Sequence, residues 1–322
     1  MMPVCAIEPP EHGFYSKQLD VFGTLVKAHR DVADEALDAA GRRIERLLGS
    51  AQAVAANLAS AGAEMHIIGR GQQVTELPMY RHMGGVPFDG SQTMDERARG
   101  YGGLHACCSE DSLLGLATAR HRDHRDICSH EMAHTVLRYG VDEPIRARVA
   151  EQYSASKRRW KRAYAASNFH EFFAELTMWY VGSRGDFTSL RAPAAGPEWL
   201  EHHDPESYAL LNSIYEGRLK PRRITWAHLE PCGASASVSA DEVVTIMFVN
   251  ETDRQLERFW LSYAGERRPY GPIAAGSVAG QPTFVTHPWA LADADGEIGV
   301  FVAEQGGHAM VRVTDGTLAN RG

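Results

Sequence analysis

The pattern of apolar and polar positions changes character near Ile224. Upstream, apolar residues recur at helical spacing. Val21 to Leu58 is rich in Ala, Leu, Arg and Glu in that rhythm, and Tyr208 to Tyr215 has the spacing of a last helix. Glu64 to Ile68 reads as a strand, with an edge strand near Leu104. Downstream, short alternating runs such as Val243 to Val249 and Ile298 to Val302 are punctuated by Gly, Pro and Asp, the signature of strands joined by turns. The pattern predicts an α+β chain. A mainly helical domain with a small sheet spans 1–220, and an antiparallel β-sandwich spans 225–322. Gly217 to Arg223 reads as the linker, and Gly-rich 84–103 as a long loop over a cleft.

The helical part contains His130-Glu131-Met132-Ala133-His134. Residues four apart share a helix face, so both imidazoles can bind one metal ion, and Glu131 can hold and deprotonate a water at the open position. Two nitrogens and one further ligand make a catalytic zinc site with a vacant position. Ile127, Val136 and Leu137 supply apolar positions around the histidines, and Gly140 is placed to end the helix in a left-handed conformation. A third histidine at metzincin spacing is absent, because Leu137 and Gly140 occupy those positions.

The third ligand is therefore expected on a second helix. Ser167 or Asn168 can cap a helix that runs to about Tyr180, in which Glu171 and Glu175 share a face. Carboxylates in a mostly apolar helix need a partner, because burying an unpaired charge is costly. Glu171 is assigned as the zinc ligand, with His170 as the alternative donor, and Glu175 as the carboxylate that grips a ligand histidine. The stretch His121-Arg-Asp-His-Arg-Asp126 could be a second metal site but reads better as a charged loop, since its arginines repel a cation.

Together these motifs resemble the gluzincin domain of anthrax lethal factor and the Pro-Pro endopeptidases. The residues that carry the likeness are H-E-x-x-H, then Tyr164, then Glu171-Phe-Phe-Ala-Glu175, with Gly102-Gly103, Glu110 and Leu113-Leu114 upstream. The resemblance covers about residues 15 to 215 and implies a zinc peptidase. It makes Glu171 the third ligand and Tyr164 the group that stabilises the tetrahedral intermediate. A packed loop aromatic is the other reading of Tyr164.

The second half carries Phe248-Val-Asn250, Phe259-Trp260, Tyr263-x-Gly265, Pro269-Tyr270, Gly276, Thr283-Phe284 and His287-Pro288-Trp289. This resembles the β domain of the von Hippel-Lindau tumour suppressor protein. The resemblance implies an aromatic pocket for hydroxyproline, with Trp260, Tyr270 and Trp289 as walls and His287 on the hydroxyl. Thr283 stands where that family has serine, which keeps the hydroxyl and adds a methyl. The same aromatics also suit the core of any sandwich. No helical ligase-recruiting segment follows, so no ligase role is expected.

Whole-chain numbers agree. The chain has 322 residues, enough for two domains, and a net charge of −8, which argues against nucleic acid. No apolar run is long enough for a membrane span and the start is not a signal peptide. Five cysteines without framework spacing suggest packed thiols in a reducing, cytoplasmic setting. The leading expectation is a zinc endopeptidase acting on a peptide or protein substrate, Pro-rich or hydroxylated. The alternative is a binding or scaffold protein with a structural or vestigial metal site. An intact Glu131 argues against the latter, because metal binding alone does not require it. Nothing in the sequence sets an oligomeric state.

Overall fold

The computed structural model describes residues 3–119, 125–187 and 193–319. Along the chain run β1 (Cys5–Glu11), β2 (Tyr15–Val21), β3 (Thr24–His29), α1 (Asp34–Leu48), α2 (Gln52–Ala61) and β4 (Glu64–Ile68). Next come β5 (Pro87–Asp89), β6 (Gln92–Thr93), α3 (Met94–Arg97), β7 (Gly100–Tyr101), β8 (His105–Ser109) and α4 (Glu110–Leu113). Helices α5 (Ile127–Thr135), α6 (Glu143–Ser156), α7 (Phe169–Tyr180), α8 (Pro197–His203) and α9 (Pro205–Tyr215) follow. The chain continues through β9 (Trp226–His228), β10 (Val243–Asn250), β11 (Leu256–Leu261), β12 (Arg267–Ile273) and β13 (Val278–Phe284). It then forms β14 (Trp289–Asp293), β15 (Gly296–Phe301), β16 (Gly307–Val313) and α10 (Asp315–Ala319). Two compact units result, Met1–Val74 with Asp95–Ile224, and Thr75–Met94 with Thr225–Gly322.

The first unit has a six-stranded sheet of order β1-β2-β3-β4-β8-β7. The β3–β4 and β4–β8 pairs are parallel and the others antiparallel. Helices α1 and α2 cross over from β3 to β4 and bury Leu37, Ile44, Leu47 and Leu58. The expectation of helix from Val21 onward fails at its start. The chain instead reverses at Phe22 and Gly23, with φ of 56° and 82°, and pairs β2 with β3. Lys27 hides this strand from a hydropathy pattern. It is a buried cation between Glu11 at 2.8 Å and Glu64 at 2.7 Å, so an inward position reads as polar. The same buried network holds His66 between Tyr15 Oη at 2.9 Å and Glu64 Oε2 at 2.7 Å.

Helix α5 starts on Asp126, whose carboxylate accepts from the Ser129 amide and hydroxyl. It does not end on a left-handed glycine as expected. It widens into a π turn over Val136–Gly140. Gly140 is required for space, since a Cβ there would lie 2.7 Å from Val54. The stretch read as a linker is pinned to this unit. Buried Asn57 donates to the Arg222 carbonyl and accepts from the Ile224 amide, and Gly217 lies where a Cβ would meet Ser50 O at 2.3 Å. Residues 84–103, expected as one loop, contain β5, β6, α3 and β7, and their first part belongs to the second unit.

The second unit packs two four-stranded sheets, β13-β10-β16-β9 and β12-β11-β14-β15. The second sheet is wholly antiparallel, and the first contains two parallel pairs, β10–β16 and β16–β9. Alternate residues Val244, Ile246 and Phe248 of β10 point inward with Leu256, Trp289, Leu291 and Val311 to form the core. Asn250 is buried and donates to the Arg254, Ile273 and Ala274 carbonyls, which fixes the turn after β10. Gly276 has φ of 65°, and a Cβ there would lie 2.9 Å from the Pro78 backbone, so residues 75–94 pack closely on this unit. Among the described residues no helix is long and apolar enough to cross a membrane.

Candidate functional site

Helix α5 brings His130, Glu131 and His134 to a cleft of about 610 Å³ in the first unit, which Tyr164, His170, Glu171 and Glu175 also line. Helix α7 lies against α5 and is capped by Asn168, whose side chain accepts from the His170 and Glu171 amides. That cap starts the helix where Glu171 faces the two histidines.

Three donor atoms meet there. His130 Nε2 and His134 Nε2 are 3.2 Å apart, and Glu171 Oε2 lies 3.3 Å from the first and 3.4 Å from the second. Four-coordinate zinc with bonds of about 2.0–2.1 Å places its ligand atoms about 3.4 Å apart. Glu171 Oε2 is buried and makes no hydrogen bond, an orphaned acceptor aimed at two ring nitrogens. The donor set therefore fits a zinc ion. His170 stands outside this group and its ring packs on Phe169, with centroids 4.0 Å apart.

Glu175 is buried beneath the triangle. Its Oε1 lies 3.3 Å from His130 Nδ1, and its Oε2 accepts from the Asp186 amide at 2.6 Å. A proton on Nδ1 toward Glu175 leaves the Nε2 lone pair for a metal. Burial works against a charged His130, but Glu171 and Glu175 outweigh it and hold its pKa up at about 10 without metal. Burial also works against ionisation of Glu171, and its contacts with both histidines overcome that and lower its pKa. The Glu131 carboxyl is buried, which raises its pKa.

Sequence reasoning missed Gly100, Gly185 and Arg97 around this centre, and took Gly102 only as part of the upstream likeness without the reason for it. A Cβ at Gly102 would lie 2.5 Å from His134 Cβ, and one at Gly100 would lie 2.6 Å from Ile127 and 3.0 Å from Glu131 Oε1. At Gly185 a Cβ would lie 2.3 Å from Glu175 Oε2. The backbone of β7 and the two residues after it thus approaches α5 as closely as glycine allows, and Thr135 Oγ1 fastens it by donating to Gly103 O at 2.6 Å. Arg97 lies beside the hydroxyls of Tyr101 and Tyr164. Burial, then Glu171, raises the Tyr164 pKa, and Arg97 opposes this. Arg97 stands in a stretch that resembles ordinary polar loop, so no signal marked it.

Residues 121–124 of the charged stretch before α5 lie outside the described residues. A second His/Glu group, Glu64, His66 and His105, has donor atoms within 4.8 Å of one another. There Lys27, His66 and Tyr15 already engage the Glu64 carboxylate and the His66 ring. Cys107, Cys108 and Cys128 are buried, and burial raises the Cys108 thiol pKa.

In the second unit, β11 and β14 set Trp260 opposite Trp289. The Trp260 ring stands 5.5 Å from His287, and Tyr270 meets Trp289 edge-on at 4.9 Å. Thr283 Oγ1 accepts from Trp289 Nε1 at 3.3 Å and lies 3.4 Å from His287 Nδ1. The five residues singled out in the sequence are thus neighbours. Tyr263, not counted among them, closes the chain with its hydroxyl 3.1 Å from His287 Nε2. Trp260 Nε1 is buried without a hydrogen bond, and burial lowers the His287 pKa.

No curated protein matches the chain. Among solved structures, the PRO-PRO endopeptidase from Paenibacillus alvei is similar over 55% of this chain and 91% of its own, at 18% identity and a TM-score of 0.39. Residues 235–311 match the family model of the VHL beta domain.

Proposed function

We propose that the protein is a zinc-dependent endopeptidase whose C-terminal sandwich binds Pro-rich or hydroxyproline-bearing peptides. The reading rests on the triangle of His130 Nε2, His134 Nε2 and Glu171 Oε2 beside the Glu131 carboxyl in one cleft. Zinc held there supplies Lewis acidity toward a carbonyl and toward water. Glu131 takes the proton of the attacking water and passes it to the leaving amine, a transfer suited to a carboxyl whose pKa burial has raised. The Tyr164 hydroxyl, with the Arg97 cation beside it, is the O–H donor for the developing oxyanion.

The VHL beta domain match and the aromatic cluster support the second part. The Trp260, Tyr270 and Trp289 rings suit a proline ring. A ligand hydroxyl would replace Tyr263 on His287, and a peptide that displaces Tyr263 without supplying a hydroxyl would leave that buried nitrogen unpaired.

The deciding experiment is zinc analysis and peptide-library cleavage with wild type and Glu131→Gln side by side. Both proteins should hold equal zinc, with turnover lower in the variant by about 100- to 10,000-fold. Equal cleavage by the two, or no zinc in either, overturns the reading.

A further inference from the structure

Arg138 is a cation of the cleft for which the reaction outlined above has no use. It stands four residues beyond His134, in the π turn that closes with the Val141 amide donating to Val136 O at 3.1 Å. Such turns recur at functional sites. Arg138 is exposed and lines the same cleft as His134, His170 and Tyr164.

Its charge is unspent. The guanidinium touches the Tyr139 hydroxyl, and among the described residues no carboxylate lies within ion-pair distance of it. The other described arginines that line the cleft are engaged, Arg125 with Asp186 at 3.2 Å and Arg97 beside Tyr101 and Tyr164. The cleft's glutamates are engaged or buried too. Glu171 faces the two histidines, Glu175 is shared between His130 and Asp186, and Glu131 is buried. Among the described residues an incoming carboxylate therefore meets one open, permanently charged fork whose planar geometry matches it in two parallel hydrogen bonds.

We propose that Arg138 is a specificity-determining residue that binds a substrate carboxylate. The cleft then selects peptides that carry an acidic side chain or a free C-terminal carboxylate near the scissile bond. The inference rests on the peptidase reading, and its test separates the two.

The test uses the full, zinc-loaded chain and peptides drawn from a degenerate library. Each is made with Glu or Gln at the positions flanking the cleaved bond, and as free acid or C-terminal amide. Two quantities are read, the kcat/KM ratio of each pair and the binding ratio of the same pair on Glu131→Gln protein, which does not depend on turnover. The carboxylate form should be favoured about 10-fold in both, as expected for a hydrogen bond to a charged group. Arg138→Gln should bring both ratios to about one, and Arg138→Lys should keep part of them, since it restores charge without the fork. Preference confined to the free acid assigns the C-terminus, and preference confined to Glu assigns a side chain.

A wild-type ratio near one, or a ratio unchanged in Arg138→Gln, overturns the inference. Cleavage without preference overturns it and leaves the peptidase reading standing. Preferential binding without any cleavage by wild type does the reverse. Neither cleavage nor binding overturns both.

Discussion

His130 Nδ1 lies 3.3 Å from one oxygen of Glu175, and the other oxygen of that carboxylate accepts the Asp186 amide hydrogen at 2.6 Å. The carboxylate is anchored on one side and lies within ion-pair distance of the imidazole on the other. Gly185 leaves the space for it. Glu175→Gln should weaken zinc binding by about 10- to 100-fold, the usual cost of losing such an outer partner. Competition with a chelator measures this. Wild-type affinity in the variant would remove Glu175 from the centre.

Tyr164→Phe keeps the ring and deletes only the hydroxyl. Turnover should fall by about 100-fold while zinc content stays at the wild-type level. Metal analysis and kinetics on one preparation decide the matter. Unchanged turnover would leave Tyr164 as a loop aromatic.

Gly102→Ala forces a methyl to 2.5 Å from His134 Cβ, whereas Gly71→Ala meets nothing within 4 Å. The first should cost about 1–3 kcal/mol of stability and weaken zinc binding, as overpacking does. The second should leave zinc affinity unchanged. Equal zinc affinity in the two variants would show that the backbone at Gly102 does not set the position of His134.

The buried Glu64 carboxylate gives a pH signature. Burial opposes its ionisation, but His105, His66 and Lys27 outweigh it, so its pKa falls well below the usual 4.5. A carboxyl depressed in the folded state stabilises above its unfolded pKa, and that contribution is lost as pH drops through the folded value. Glu64→Gln should therefore cost about 3 kcal/mol at pH 7, because Lys27 keeps one carboxylate instead of two. The gap from wild type should narrow progressively below about pH 4.5. Denaturant unfolding at pH 7, 5 and 3 checks this, and a gap constant with pH would contradict it.

For the sandwich, one peptide made with proline and with hydroxyproline should bind the full chain unequally, the hydroxylated form about 10-fold tighter. His287→Ala should erase the difference. Calorimetry reads both, and equal affinities would leave the aromatic cluster as packing alone.

Much of the fold was legible because its signals are local. The Asn168 cap, the apolar rhythm of α7 and the alternation of β10 each follow from residues a few positions apart. Strand β3 was not legible. Its buried Lys27 is tolerated only through Glu11 and Glu64, which come from other strands. The π turn over Val136–Gly140 was also hidden, because Gly140 answers to Val54 of α2 and not to its own neighbours.

By itself the sequence placed two imidazoles on one face of a helix with a carboxyl one position on from the first, two more carboxyls on a second helix, and a set of aromatics along a β domain. Helical and strand periodicity carry that information directly. Only the tertiary structure decided that Glu171 rather than His170 completes the triangle, that Glu175 reaches Nδ1 of His130, and that Gly100 and Gly102 let the 100–103 backbone lie against α5. It also brought Arg97 to the Tyr164 hydroxyl and left Arg138 without a counter-charge among the described residues. Those facts depend on which distant segments meet at contact distance, and such meetings have no period along the chain.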